Sequence, residues 1–188
     1  MTERDEQILE AAMQLFLRYG VKRTSMNDIA SEAGVARQTL YNAFSNKDDV
    51  LCSLIRLFTD RAMDEIEVII ARSTKLSDRL DIVLERVAVY PFEMLSKSPN
   101  AEDLVLGMNA ASKEEIDASN ERFRAVLADI LIVYEASLKR VGRTPRQFAD
   151  FIHIAASAAK TQAANRKQLD ELLQTIRSTV LSYAQIDT

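Results

Sequence analysis

The sequence predicts an all-α protein of about nine helices. Three observations carry that expectation. The 188 residues hold only four glycines and three prolines, so few points along the chain are marked as breaks. Apolar residues recur at helical spacing almost throughout, from Ile8 to Tyr183. Helix-start signals open one segment after another: Ser25 with Asp28, Ser112 with Glu115, Thr144-Pro145 with Gln147, and Asn165 with Gln168. A hydrophobic fraction of 47% is enough to fill a core in one or two domains of this length.

The N-terminal elements follow in order. Ile8, Ala12, Leu15, Phe16 and Tyr19 form one stripe, so a first helix runs from about Arg4 to Tyr19 and ends at Gly20. Ser25 caps a second helix, and a third spans about Ala36 to Phe44. Residues 25–44 have the spacing of a helix-turn-helix. With Met26 as its first position, the small Ala30 falls where the two helices cross, and Gly34 falls in the turn, where positive φ is wanted. Ile29, Ala33, Val35, Leu40 and Ala43 take inward positions. Ala36, Arg37, Gln38, Thr39, Tyr41 and Asn42 lie outward, a hydrogen-bonding face suited to a DNA major groove.

A fourth helix is expected from about Lys47 to Arg72, capped by Ser45 or Asn46 and periodic through Leu51, Ile55, Phe58, Ala62, Ile66 and Ile69. No flexible linker interrupts it. The domain boundary is therefore placed inside this helix, giving a DNA-binding domain of residues 1–60 and a C-terminal domain of residues 61–188 that move as coupled bodies. Ser77 caps a fifth helix with the stripe Leu80, Leu84, Val87, Pro91 and Leu95; Pro91 lacks an N–H and is expected to kink or end it. Ser96–Asn100 reads as a compliant loop and Ala101–Asn109 as a short sixth helix. The seventh opens at Ser112 and closes at Gly142, and the ninth opens at Asn165 with the stripe Leu169, Leu172, Leu173, Ile176, Val180 and Tyr183. The eighth, starting at Thr144, is apolar on two sides. One carries Phe148, Ile152, Ala155, Ala159 and Ala163, the other Phe151, Ile154 and Ala158, so it wants two partners.

Catalytic classes are poorly served by these residues, and a non-enzyme without metal or cofactor is expected. One histidine and one cysteine fall short of a zinc site. There is no G-x-S-x-G elbow and no phosphate-cradling glycine loop. His153 shares a polar stripe with Asp150, Ser157 and Lys160 and reads as a surface or interface residue; Cys52 reads as a packed helical thiol. No window approaches the roughly 18 apolar residues of a membrane span, and the charged N-terminus is not a signal peptide, so a cytoplasmic location is expected. The net charge of −4 runs against nucleic-acid binding. Local placement matters more than the total, and Lys22, Arg23, Arg37 and Lys47 flank the motif.

The run Val35-Ala36-Arg37-Gln38-Thr39-Leu40-Tyr41, followed by Phe44 and Ser45-Asn46-Lys47-Asp48, resembles the signature of the tetracycline-repressor (TetR) family of transcriptional regulators. Ile8-Leu9-Glu10-Ala11-Ala12, Leu15-Phe16, Tyr19-Gly20 and Thr24-Ser25 resemble the same family upstream. The likeness covers roughly the first sixty residues. It departs at Asn42-Ala43, where the family usually has an aromatic or histidine before the phenylalanine. A backbone contact common in relatives is thus expected to be absent or supplied from elsewhere.

The resemblance implies a DNA-binding regulator, most often a repressor, that grips a near-palindromic operator as a homodimer and is released by a small ligand. Lys47, the Tyr41 hydroxyl and Ser25 are expected to hold phosphate. Arg37, Gln38 and Asn42 are expected to face base edges, with Thr39 able to meet either. A lipophilic effector is expected among Phe58, Ala62, Tyr90, Met94, Met108, Phe123 and Tyr134. The dimer interface is expected at Ile152, Ala155, Ala158, Ala159, Leu172, Ile176 and Val180 on the last two helices. The alternative is a helical adaptor whose motif packs only on protein; salt-sensitive DNA affinity separates the two readings.

Overall fold

Thr2 starts the first helix. Its hydroxyl accepts the Asp5 N–H while the Asp5 carboxylate accepts the Thr2 N–H, so two orphan donors are satisfied reciprocally. The structure is a computed structural model that describes residues 1–100 and 110–184. The N-terminal helices are α1 (Glu3–Tyr19), α2 (Met26–Glu32), α3 (Arg37–Ala43) and α4 (Lys47–Arg72). Next come α5 (Leu76–Leu84), a π-helical turn (Glu85–Val89) and α6 (Tyr90–Ser96). The last are α7 (Ala110–Leu131), a 3-10 turn (Ile132–Tyr134), α8 (Glu135–Arg140), α9 (Pro145–Gln162) and α10 (Arg166–Ala184). With the π and 3-10 turns read as interruptions of continuing helices, eight helices stand among the described residues, and the fold is all-α. The short helix expected at about Ala101–Asn109 lies outside the described residues.

Several start signals act as the sequence suggests. Ser25 and Asp28 form a reciprocal box at α2, and Thr144 and Gln147 do so at α9 with Pro145 in its first turn. Asn46 caps α4 by accepting the Asp49 N–H at 2.9 Å. Others are corrected. Lys75, not Ser77, stands at the start of α5. Ser112 lies inside α7 and is fully buried, its hydroxyl beside the Cys52 thiol rather than at a helix start. Pro91 does not end its helix. The turn before it widens, and the Tyr90 N–H reaches back to the Glu85 carbonyl.

The described residues group into two compact units, Met1–Arg61 with Leu95–Ser119 and Ala62–Met94 with Asn120–Thr188. The first has a core of Ile8, Leu9, Phe16, Ile29, Leu40, Val50 and Leu54, with α1 packed on α2 and α2 on α3. Burying each such side chain contributes about 1.5–3 kcal/mol. Its Ser96–Asn100 stretch is not slack. Ser98 Oγ donates to the Leu17 carbonyl and Asn100 Nδ2 to the Arg18 carbonyl, both at 2.6 Å. These are orphan carbonyls of the last α1 turn, so the loop acts as that helix's cap. Arg61 joins the same unit by ion pairs to Glu6 and Glu10.

The second unit is built on Leu80, Val83, Leu127, Leu131, Leu138, Ala149, Ile152, Leu169 and Val180. In it α9 packs on α10 and on the π turn, and α10 packs on α5 and α8. A surface groove of about 360 Å³ runs among Val141, Arg143, Phe148, Phe151, Thr179 and Tyr183. Phe148 stacks on Phe151 and meets Tyr183 edge-on, with ring centroids 5.9 and 5.8 Å apart.

Candidate nucleic-acid interface

The helix-turn-helix is set by a few backbone facts. Gly34 has φ +66, the left-handed conformation that glycine adopts without strain. The Val35 N–H then returns to the Ala30 carbonyl at 3.0 Å, closing the turn. Gln7 Nε2 donates to the Ala33 carbonyl, fixing α1 against this corner. Ile29, Ala30, Ala33 and Leu40 are buried and Val35 half-buried, as their inward positions predict. Ala43, expected inward, is exposed, because α3 ends there and the chain turns on the buried Phe44 instead.

The outward face of α3 is preformed. The Arg37 guanidinium lies over the Tyr41 ring, 5.4 Å from its centroid. Gln38 Nε2 donates to Asn42 Oδ1 at 2.8 Å. Both are i,i+4 pairs, so each polar side chain is held along the helix before anything binds. Arg37, Gln38, Tyr41 and Asn42 are exposed and Thr39 is half-buried.

The other two expected contacts have local partners. Lys47 Nζ donates to the Thr24 carbonyl at 2.9 Å, tying the start of α4 to the residue before the α2 cap. Thr24, which the sequence offered only as part of the family resemblance, is buried, and its hydroxyl donates to the Gly20 carbonyl. Its place immediately before a capping serine was the available signal. Ser25 is exposed, but its N–H and hydroxyl both donate to the Asp28 carboxylate. Those bonds hold Asp28 below its usual carboxylate range.

This geometry is matched by sequence comparison. Residues 8–54 fit the family model described as bacterial regulatory proteins, tetR family. Residues 8–54 are thus a helix-turn-helix segment of the TetR type. It is 25% identical over 187 residues to an uncharacterized HTH-type transcriptional regulator of Mycobacterium tuberculosis, covering 98% of this chain and 77% of that one. It is 27% identical to the fatty acid metabolism regulator protein of Bacillus subtilis over 128 residues, covering 68% of this chain and 60% of that one. The fold is similar to that of the fatty acid degradation regulator FadR from Bacillus halodurans, with a TM-score of 0.72 at 22% identity and 96% of each chain covered. With these likenesses the chain is a DNA-binding regulator of transcription. No helix among the described residues is long and apolar enough to cross a membrane.

The residues expected to serve the effector and the dimer are placed less uniformly. Phe58 packs in the first unit's core, while Ala62, Phe123 and Tyr134 join the second's. Tyr90 is exposed under the Arg86 guanidinium, Met94 is half-buried, and Met108 lies outside the described residues. On the last two helices, Ile152, Ala159, Ile176 and Val180 are buried in the second unit's own core and Ala155 is half-buried; only Ala158 and Leu172 of that set are exposed. The reason is the two-sided apolarity of α9. Periodicity shows both faces, and the core takes the one bearing Phe148, Ile152 and Ala156. Phe151 and Ile154 are left 49% and 62% exposed. His153 is corrected as well. Expected near the surface, it is 4% exposed, and burial pushes its ring pKa down, helped by Arg124 and Lys160.

Proposed function

We propose that the chain is a cytoplasmic repressor that binds a near-palindromic operator as a homodimer and is released by a small lipophilic ligand. One observation carries the DNA part: a hydrogen-bonding face on α3, already ordered by its own i,i+4 pairs, presented by a closed helix-turn-helix. In this reading residues 1–60 read DNA and residues 61–188 dimerise and sense. Arg37, Gln38 and Asn42 meet base edges and Thr39 serves base or phosphate. Lys47 and the Tyr41 hydroxyl hold phosphate. Ser25 is a weaker phosphate donor, because Asp28 occupies its N–H and hydroxyl.

The dimer face in this proposal is the exposed stripe Phe151, Ile154 and Ala158 of α9 with Leu172 and Tyr183 of α10. The groove beside Phe148 lies at one end of it and would take a side chain of the second copy. Recognition helices of the dimer would sit one DNA turn apart, about 34–36 Å. An effector would lie in the second unit, near Ala62, Met94, Phe123 and Tyr134. It would act through α4, which runs unbroken from Lys47 to Arg72. The similarity to the Bacillus subtilis fatty acid metabolism regulator supports an alkyl chain as the first ligand class to examine.

Genomic footprinting of the bound site followed by operator titration tests the proposal. Arg37→Ala should cost about 1–3 kcal/mol and relax preference at one base pair of each half-site, if the guanidinium reads guanine. Operator affinity that ignores both salt and Arg37 would return the adaptor reading.

A further inference from the structure

We propose that Gln38 and Asn42 read DNA as one unit, in which Asn42 accepts a hydrogen bond that turns the Gln38 amide so that its open edge fits adenine. That role rests on reading α3 as the recognition helix. It adds the base that is read and the residue that fixes the reader.

Gln38 is the second residue of α3 and Asn42 the sixth, so the two stand one turn apart on its outward side. Both are exposed. Gln38 Nε2 donates to Asn42 Oδ1 at 2.8 Å. The first residues of the second helix in a helix-turn-helix are those that reach base edges. Gln38 is therefore the member of the pair placed to touch a base, and Asn42 lies a turn behind it as a positioning residue. The neighbouring side chains are engaged elsewhere. The Arg37 guanidinium lies over the Tyr41 ring, and Leu40 is buried beneath the helix.

A glutamine amide can turn over, exchanging its oxygen and its nitrogen, and the two settings show a base different patterns. With its nitrogen turned to Asn42, Gln38 keeps its oxygen and one N–H for the groove. An acceptor beside a donor is the pattern that meets adenine, whose N6 amino group donates and whose N7 accepts. With its oxygen turned to a donor at position 42, Gln38 would instead offer two N–H groups, which match the N7 and O6 acceptors of guanine. The Asn42 oxygen selects the first setting. It also orders a long side chain before DNA arrives, so less rotamer freedom is lost on binding.

The test is in vitro selection by the full chain from a duplex library of random sequence. Base-substituted versions of the selected site are then titrated at one salt concentration. Wild type should enrich an A·T pair at one position of each half-site and prefer it there by about 5- to 150-fold. Gln38→Ala should lose that preference. Asn42→Ala should cut it by about 2- to 10-fold although Gln38 is intact, and the double variant should fall no further than Gln38→Ala alone. Asn42→Asp keeps an acceptor and has no donor, so it should hold the A·T preference even as its charge weakens binding to every duplex. Both side chains are exposed, so these substitutions leave the core intact. Two independent preferences, one lost with each single substitution, would overturn the proposal. So would a selected site indifferent to Gln38→Ala, a G·C pair at the position that Gln38 reads, or loss of the A·T preference in Asn42→Asp; each of these leaves the protein a DNA reader. If wild type enriches no sequence at all, the DNA-reading proposal itself falls and takes the amide pair with it.

Discussion

In the proposed reading, folding and DNA binding are most closely joined at Lys47. Its ammonium donates to the Thr24 carbonyl at 2.9 Å, and Thr24 is itself buried and bonded to the Gly20 carbonyl. An ammonium has three donors, so it can keep that bond while meeting a phosphate. Lys47→Ala removes both. A hydrogen bond from a charged donor contributes about 1.5–3 kcal/mol when buried. Lys47 is only half-buried, so solvent screening brings the expected loss to about 1 kcal/mol. For a chain of this length that lowers the melting temperature by about 2–4 °C. A dimer carries two copies, and each lost phosphate contact removes about 0.9 from the slope of log affinity against log salt, so the slope should flatten by about 1.8. Thermal melts and operator titrations across a salt series measure the two effects separately. A lower melting temperature with an unchanged salt slope would refute the phosphate assignment and leave Lys47 a structural tie.

Three further expectations follow from particular side chains. Ile154→Arg should give folded monomers with poor operator affinity by sedimentation and titration, whereas Ile152→Ala, one face away, should cost about 2–5 kcal/mol of stability; an Ile154→Arg protein that stays dimeric would remove this stripe from the interface. Gly34→Ala should cost about 1–2 kcal/mol in denaturant melts, because the added methyl group meets open space and only the φ of +66 is unfavourable. Arg146 and Arg124 hold the Glu121 carboxyl down at about 2 from an ordinary 4.5. A depressed pKa stabilises the fold fully above 4.5 and loses that contribution as the pH falls through 2. The melting-temperature gap between wild type and Glu121→Gln should therefore be flat at neutral pH and close between those two values; a gap that persists at the acid end would contradict the pairing.

The sequence by itself determined what local chemistry controls. Helix class followed from periodicity and from the scarcity of breakers. The boxes at Ser25 and Thr144 and the turn at Gly34 follow from neighbours within a few residues, and such bonds form much the same way in any fold that keeps the helices. The exposed side of α3 was legible for the same reason: on a short helix whose inward positions are filled by Leu40 and its neighbours, the outward ones are known. Tertiary structure decided whatever depended on which of two plausible partners arrives. Helix α9 offers two apolar faces, and only packing against α10 and the π turn assigned Ile152 to the core and Ile154 to the surface. His153 was drawn inward with Ile152, although it shares a helical stripe with the polar Asp150, Ser157 and Lys160. Ser98 and Asn100 cap a helix some eighty residues earlier in the chain, and no local pattern could announce bonds to the Leu17 and Arg18 carbonyls. Glu121 and Asp150 read as charges on separate helices until Arg124 and Arg146 are found beside both. A charge balance is a property of a neighbourhood, and a neighbourhood exists only once the chain has folded.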